Sequence, residues 1–455
     1  MNLQSLIRKY DTATPRYTSY PTVPFWNDAS LTPAVWEQQV KAAYTQRHEN
    51  GISLYVHLPF CEALCTYCGC NKRITRNHAV ETPYIDSLLA EWQMYKNLLG
   101  ETPTLQELHF GGGTPTFFSA QNLDRLLSGL LEGSKPAPHP EFSVEVHPNV
   151  TDREQLQVLY NHGFMRLSVG VQDFDPKVQF VINRLQSFEQ TAHVFEAARE
   201  IGYTSINADI IFGLPLQTAD SIRLTIDRVR QLRPERIAFY SYAHVPWKSK
   251  AQRRYTEADL PSAEQKRAMY ELGRDLLLQV GYIEIGMDHF ALPHEALAQA
   301  ALNGTMHRNF MGYTTQETDI LLGLGASSIA DTGTAFMQNI KEIEEYQQAI
   351  AEGKWPITKG HLLTDEDKLI RKHILNLMCH FETDWEQEST YSPALEEAVV
   401  RLRPLEADGL VIVEPKRVRI TPLGRAFLRN VCVCLDERYW KNKEHSTQPI
   451  FSKSI

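Results

Sequence analysis

Between about residues 51 and 245, short apolar runs alternate with stretches in which apolar residues recur every three or four positions. The runs ISLYVHLPF, LQELHFGGG, PEFSVEVHP, FMRLSVGVQ, TSINADIIFG and ERIAFYSYAH are rich in β-branched and aromatic residues. Each ends in a polar or glycine-containing turn, which predicts a series of strands. Helices fill the intervals: Ile85, Leu88, Leu89, Trp92, Tyr95 and Leu99 share one face of a 3.6-residue period. Thr151 with Glu154, and Ser187 with Gln190, read as capping boxes at helix starts. Strands of continuous apolar character separated by helices form parallel βαβ units with right-handed crossovers. The expected fold is α/β, a partial parallel (β/α) barrel.

The pattern changes at both ends. Residues 1–50 precede the first strand and carry Pro15 to Thr22 (PRYTSYPT), too polar and proline-broken for a regular helix, which is expected to be an arm over the barrel mouth. Residues 51–360 are expected to be the catalytic barrel. Residues 361–455 have another texture: a helix TDEDKLIRKHILNLMCHF, a helix around LEEAVVRLRPLEADG, a hairpin in GLVIVEPKRVRITPLG and a last helix. That order is winged-helix-like and predicts a smaller, mostly helical domain, a fold that serves as a packing module as well as a DNA binder. The net charge of -9 argues against a nucleic-acid partner. No apolar run approaches membrane-spanning length and the start lacks the features of a secretory signal, so a cytoplasmic protein with no membrane partner is expected. A monomer is expected.

Polar and glycine positions gather where the strands end: a cysteine loop, Gly111 to Thr114, Glu145, Gln172, Asp209 and Ala243. In barrel enzymes that rim is the functional face. Of seven cysteines, Cys61, Cys65, Cys68 and Cys70 lie close together, which is no disulfide framework for a reducing compartment. Cys379, Cys432 and Cys434 are expected to pack. Cys61, Cys65 and Cys68 form C-x-x-x-C-x-x-C directly after a strand, so three thiolates can hold three irons of a cubane and leave the fourth iron open. A structural zinc site wants four closed ligands, usually two separated C-x-x-C pairs, and no second pair is present. Cys70 would have to point back at the same cubane and is the poorer ligand.

The cysteine loop after the first strand resembles the signature of the radical S-adenosylmethionine superfamily, and Gly111 to Thr114 resembles its glycine motif. The resemblance implies a [4Fe–4S] cluster on Cys61, Cys65 and Cys68 whose open iron is chelated by S-adenosylmethionine, and an electron that breaks the C–S bond to give a 5′-deoxyadenosyl radical. A narrower resemblance runs over nearly the whole chain. PRYTSYPT, YVHLPFCEALCTYCGCNK, HFGGGTPT, RLSVGVQDF, NRLQ, ADIIFGLP, SYAHVP, GMDHFA, HRNFMGYTT and RNVCVCLD are together similar to the oxygen-independent coproporphyrinogen III oxidase family. It implies oxidative decarboxylation of two propionates of coproporphyrinogen III to vinyl groups, giving protoporphyrinogen IX in haem biosynthesis, with two molecules of S-adenosylmethionine. An electron donor for the cluster and an electron acceptor are implied as partners. By position, Tyr55, Tyr67, Gly112, Gly113, Thr114, Glu145, Gln172, Arg184, Asp209, Ala243 and Ile329 are implied as cofactor or substrate contacts. Tyr55, His57 and Glu145 are the candidates nearest the chemistry, and Arg16, Lys72, Arg76 and Arg308 are candidates for the substrate carboxylates.

Two positions depart from that family: His147 stands where aspartate is common, and Met311 where glutamine is common. They bear on the second cofactor site and on which tetrapyrrole is bound. Two alternatives follow. One is a haem chaperone of the same superfamily, whose members typically have an aromatic at the Cys70 position and lack the PRYTSYPT arm. The other is a related radical enzyme acting on another tetrapyrrole.

Overall fold

The computed structural model describes residues 3–443 and 450–454. All the predicted runs form strands: β1 (Ile52–Leu58), β2 (Thr104–Gly112), β3 (Lys135–Val146), β4 (Phe164–Gln172), β5 (Ser205–Phe212) and β6 (Arg236–Ser241). They pair in parallel in chain order, with Val56 opposite Phe110, Phe110 opposite Val144, Val144 opposite Leu167, and Leu167 opposite Ile206. All five of these side chains are buried, so the row fixes the register: a slip by one residue would turn it to the opposite face.

Six further strands extend this sheet on both sides: β7 (Ile283–Glu284), β8 (His289–Ala291), β9 (Leu321–Leu324), β10 (Ile329–Asp331), β11 (Ala335–Asn339) and β12 (Ile357–Leu362). The order is β12-β11-β10-β9-β1-β2-β3-β4-β5-β6-β8-β7. β9 runs parallel to β1, whereas β7, β8 and β10 to β12 join antiparallel. The two ends of the order do not pair, so the barrel is open, as a partial barrel should be.

Helices α1 (Leu3–Tyr10) and α2 (Pro33–Arg47) precede the sheet, and α3 (Glu81–Leu99), α4 (Ala120–Leu131), α5 (Arg153–Asn161), α6 (Phe188–Ile201) and α7 (Ala219–Leu232) connect the parallel strands. On α3, Ile85, Leu88, Trp92 and Tyr95 are fully buried, while Leu89 and Leu99 lie half-buried at the margin. Each fully buried aliphatic side chain of this kind stabilises by roughly 1.5–3 kcal/mol.

One expected cap moves by a residue. α5 starts from Asp152 and not from Thr151: the Asp152 carboxylate accepts from the Gln155 N–H at 2.8 Å, and the Gln155 side chain accepts from the Asp152 N–H at 2.9 Å. Gln155 is buried and its amide also donates to the carbonyls of Thr116 and Phe118, which the exposed Glu154 has no means of doing. The Thr151 hydroxyl donates instead to the His147 carbonyl. The Ser187–Gln190 box on α6 forms as expected.

After α8 (Ala263–Gln279) and β12 come α9 (Asp365–His380), β13 (Glu382–Asp384), α10 (Ala394–Ala407), β14 (Val411–Glu414), β15 (Arg417–Ile420) and α11 (Leu428–Leu435). The three strands pair in the order β13-β15-β14. Their core combines Ile370, Ile374, Leu402 and Val431 with Leu6, Ile7, Tyr10, Tyr17 and Tyr20 from the other end of the chain. The Arg429 guanidinium donates to the carbonyls of Thr14, Pro15, Lys453 and Ser454 and so ties both ends together. From there Pro15 to Thr22 runs back to the rim, where Arg16 Nη2 donates to the carbonyl of Ser241, the last residue of β6, at 2.6 Å. Among the described residues no helix is long and apolar enough to cross a membrane.

Candidate active site

β1 ends one residue before Pro59, and the chain then loops out through the cysteines and returns. Phe60–Cys61 pairs in parallel with Arg73–Ile74, and the Arg73 N–H donates to the Pro59 carbonyl at 2.7 Å. Inside the loop, Lys72 Nζ donates to the carbonyls of Cys68 and Cys70 at 3.2 Å each. On its flanks the Thr66 N–H reaches the Ile182 carbonyl at 2.9 Å, and the Gln252 amide reaches the Tyr67 carbonyl at 2.9 Å. Apart from that short pairing at its base, the loop is thus fixed through hydrogen bonds to its backbone.

Cys61, Cys65 and Cys68 line one cavity of about 270 Å³, together with Tyr67, Gly112, Gly113, Thr114, Glu145, Gln172, Arg184 and Asp209. Gly112 and Gly113 give part of this cavity a lining of bare backbone. A Cβ on Gly112, whose φ is +112°, would stand 2.6 Å from the His57 ring, and one on Gly113 would stand 2.7 Å from the Pro59 backbone. The thiols differ: burial pushes Cys61 up to about 11, while a hydrogen bond from Cys70 together with the Lys72 ammonium holds Cys68 down to about 6. Cys61 Sγ lies 3.3 Å from Thr114 Oγ1, and Arg184 Nη1 donates to Cys65 Sγ at 3.7 Å.

Two carboxyls in this cavity are tuned in opposite directions. Burial disfavours the charge of Glu145, but hydrogen bonding from His109 and from the Gly112 N–H outweighs it and holds the carboxyl below its usual range. Burial pushes Asp209 up to about 6, with the Glu145 charge adding to the shift, although Ser168 Oγ and Asn207 Nδ2 donate to it at 2.8 and 2.7 Å. Arg184 is buried, donating to the Gly170 carbonyl and to Gln186, and its remaining direction faces the thiols. Gln172 closes β4 with φ +66°, a left-handed conformation that costs a side-chain-bearing residue about 1–3 kcal/mol and re-aims it into the cavity.

The other expected residues lie around this cavity. Tyr55 and His57 sit on β1 beneath the glycine wall, with the Tyr55 hydroxyl 3.0 Å from His57 Nδ1 and His57 Nε2 3.0 Å from the Asn71 carbonyl. A carbonyl only accepts, so Nε2 carries the hydrogen and Nδ1 accepts from Tyr55. Burial keeps this ring neutral. Ala243 follows β6, and its carbonyl accepts from the same Gln252 amide that holds Tyr67. Ile329 is not among the cavity residues: it is buried at the start of β10 with Trp26 and Phe336. His147 lines the cavity and is driven down to about 3 by burial and by Arg184, so it is uncharged. Met311 belongs to a second cavity of about 230 Å³ that meets the first at Glu145, Ser168 and Asp209. Of the four cations proposed for carboxylates, only Lys72 lines the cysteine cavity. Arg16 is at the β6 end, Arg308 lies 4.6 Å over the Tyr313 ring, and Arg76 is exposed.

The donor set suits a cubane. A single zinc ion would need its ligands converging on one point, and among the described residues no three His, Cys, Asp or Glu side chains do so. A cubane puts each thiolate on a separate corner, and the cavity beside the three thiols leaves room for a further ligand on the open corner. His109, Ser168 and Asn207, which set the two carboxyls, went unread in the sequence. His109 and Asn207 each stand two positions from a strand-end residue already singled out, Gly111 and Asp209, hence on the same face, whereas a register shift between Gly170 and Gln172 breaks the alternation that would have linked Ser168 to Gln172.

A partial parallel barrel with a three-cysteine loop and a glycine wall at its C-terminal rim defines the radical S-adenosylmethionine class of enzymes, and that superfamily's profile matches residues 55–229. The match to particular relatives is far longer. The chain is 40% identical over 457 residues to the oxygen-independent coproporphyrinogen III oxidase of Escherichia coli K12, covering 99% of this chain and 98% of that one. It is 39% identical to the enzyme of that name from Pseudomonas aeruginosa, over 95% of each chain. The structure of the Escherichia coli coproporphyrinogen III oxidase, described as a radical S-adenosylmethionine enzyme, superposes with a TM-score of 0.89 over 95% of this chain and 98% of that one. The chain belongs to the oxygen-independent coproporphyrinogen III oxidase family.

Proposed function

We propose that this chain decarboxylates two propionate side chains of coproporphyrinogen III to vinyl groups without oxygen, giving protoporphyrinogen IX for haem synthesis. The observation that carries this is the single cavity in which three thiols, a glycine wall and two oppositely tuned carboxyls meet, in a chain that matches the family from end to end. Cys61, Cys65 and Cys68 hold a [4Fe–4S] cluster, and the cavity takes S-adenosylmethionine, two molecules in this reading. When bound, these groups would supply one electron and the adenosyl fragment that takes one hydrogen atom from each propionate side chain; loss of carbon dioxide would then release one further electron per vinyl group, which passes to a separate electron acceptor.

The chain's own residues bind, orient and exclude water. Glu145 is ionised at neutral pH and accepts from the cofactor's ammonium or hydroxyl groups, and Gly112 and Gly113 pack their backbone against His57 and Pro59, too close for any side chain, and so offer backbone groups to a ligand in the cavity. Asp209 and Gln172 face the same space and serve as partners for ribose hydroxyls. Arg184 meets a carboxylate in a buried setting where a charge-assisted bond is strong. Tyr67, held by its carbonyl beside Ala243, offers a ring to the adenine. Ile329 contacts ligand in this reading only if the space reaches past Tyr55, because β10 lies beyond β9 from β1. His57 holds Asn71 and with it the returning limb of the cysteine loop. We place the protein in the reducing cytoplasm, in keeping with seven free cysteines, with residues 51–360 as the catalytic unit.

The test is anaerobic. Reconstituted protein, S-adenosylmethionine, dithionite and coproporphyrinogen III should yield 5′-deoxyadenosine, carbon dioxide and a tetrapyrrole lighter by two formic-acid equivalents. Tight haem binding with no coproporphyrinogen consumed would make the chain a carrier.

A further inference from the structure

We infer that the outer face of the cysteine loop is the docking surface for an acidic protein that delivers single electrons; this rests on the cluster reading above. The segment Trp247–Arg254 (WKSKAQRR) is the most basic short run in a chain of net charge -9. It packs against the back of the cysteine loop. The Gln252 amide donates to the Tyr67 carbonyl at 2.9 Å, Ser249 Oγ to the Cys68 carbonyl at 3.4 Å, and the Tyr255 hydroxyl to the Thr66 carbonyl at 3.4 Å. On the other flank, Asn183 Nδ2 donates to the Leu64 carbonyl at 2.8 Å. The loop is therefore bracketed by 180–185 and 247–255, and what these segments present outward is next to the thiols.

They present an apolar patch with a cationic border. Leu64 is exposed, Phe180 and Leu185 are 63% and 62% exposed, and the Arg254 guanidinium lies 5.9 Å over the Phe180 ring. Lys250, Arg253 and Arg254 are all exposed, and among the described residues none has a carboxylate within ion-pairing reach. Arg253 donates only to the Pro246 carbonyl. Elsewhere on this surface arginines usually pair, as Arg125 does with Asp86 and Arg153 with Glu200. Unpaired cations around exposed apolar side chains have the composition of a small transient interface, whose rim charges set the rate of encounter.

The chemistry names the occupant. Substrate enters from the cavity side, whereas an electron has to reach the thiol-held centre from outside, and these segments bond directly to the backbone of the loop that carries Cys65 and Cys68. One electron leaves the carrier's reduced cofactor and enters the cluster, and no atom moves. Because the chain as a whole repels acidic proteins, a local positive patch is what allows one to dock.

Holoenzyme carrying Lys250→Glu, Arg253→Glu and Arg254→Glu tests this, with a flavodoxin as an acidic one-electron probe. Dithionite is small and needs no docking surface, so the variant should make 5′-deoxyadenosine at the wild-type rate with it. With reduced flavodoxin the rate should fall at least ~10-fold, and calorimetric affinity for flavodoxin should fall by a similar factor. Wild-type affinity should weaken steeply between about 50 and 300 mM salt. A variant that keeps its flavodoxin affinity and rate, or a wild-type affinity indifferent to salt, overturns the proposal. A raised KM for coproporphyrinogen III under dithionite overturns it as well, by showing that these cations hold substrate. If wild-type protein makes no 5′-deoxyadenosine even with dithionite, it is the cluster reading that fails.

Discussion

Gly112 combines a φ of +112° with a place for its Cβ that the His57 ring already fills, so alanine there meets strain and overlap at once. Gly112→Ala should lose about 1–3 kcal/mol in urea unfolding and most of its S-adenosylmethionine affinity, measured by equilibrium dialysis on the same preparation. Cys70 lines the cavity and hydrogen-bonds Cys68 without being one of the three thiols proposed to hold the cluster. Cys70→Ser should therefore keep four irons per chain while making less 5′-deoxyadenosine, whereas alanine at Cys61, Cys65 or Cys68 should lose the cluster. Iron loss in Cys70→Ser would mean the ligands are misassigned. Asp209 gives a pH signature. Its folded value of about 6 lies above the ordinary 3.8, so between these values the folded state holds a proton that the unfolded state has released. Stability from this group is present below about pH 4 and is lost as pH rises through 6. The Tm of cluster-free protein should accordingly fall, relative to Asp209→Asn, as pH rises from about 4 to 6; parallel curves would contradict the burial of this carboxyl. The cysteines, glycines and strand-end acids were legible because their side chains have few other uses in that pattern. His109, Ser168 and Asn207 were not, since a polar residue on a strand face looks the same whether it meets solvent or tunes a carboxylate.

The parallel strands were readable because each is a run rich in β-branched and aromatic residues between turns, with one face fully buried. β9 to β12 were not. The stretch LLGLGASSIADTGTAFMQNI breaks into three short strands with glycine and serine between them, and pairing across the sheet supplies what local propensity lacks. That leaves β9 beside β1, completing the wall behind Tyr55, a role no local pattern marks. The start of α5 shows a different ambiguity. Thr151-x-x-Glu154 and Asp152-x-x-Gln155 are overlapping boxes one residue apart, and the tertiary bonds of Gln155 decide between them. Asp152→Ala should cost about 1 kcal/mol by urea denaturation. A loss at Thr151→Ala as large, with none at Asp152→Ala, would restore the sequence reading.

At the scale of the whole molecule, Arg429 is a buried cation whose partners are backbone carbonyls from both ends of the chain. Arg429→Ala strands those carbonyls and should cost at least ~3 kcal/mol. Limited proteolysis should then cut within residues 11–22 while the barrel resists, and uniform digestion would show that the two cores are one cooperative unit. The chain order of this clasp also has a consequence for biosynthesis. Leu6, Ile7, Tyr17 and Tyr20 leave the ribosome before the barrel strands, yet the side chains that bury them, on α9 to α11, leave it after those strands. The parallel strands finish their pairing long before that, so the barrel folds while its leading segment is still an exposed apolar tail. Until α9 to α11 emerge the rim at Ser241 is without its Arg16 contact, and their arrival draws residues 6–20 down onto it.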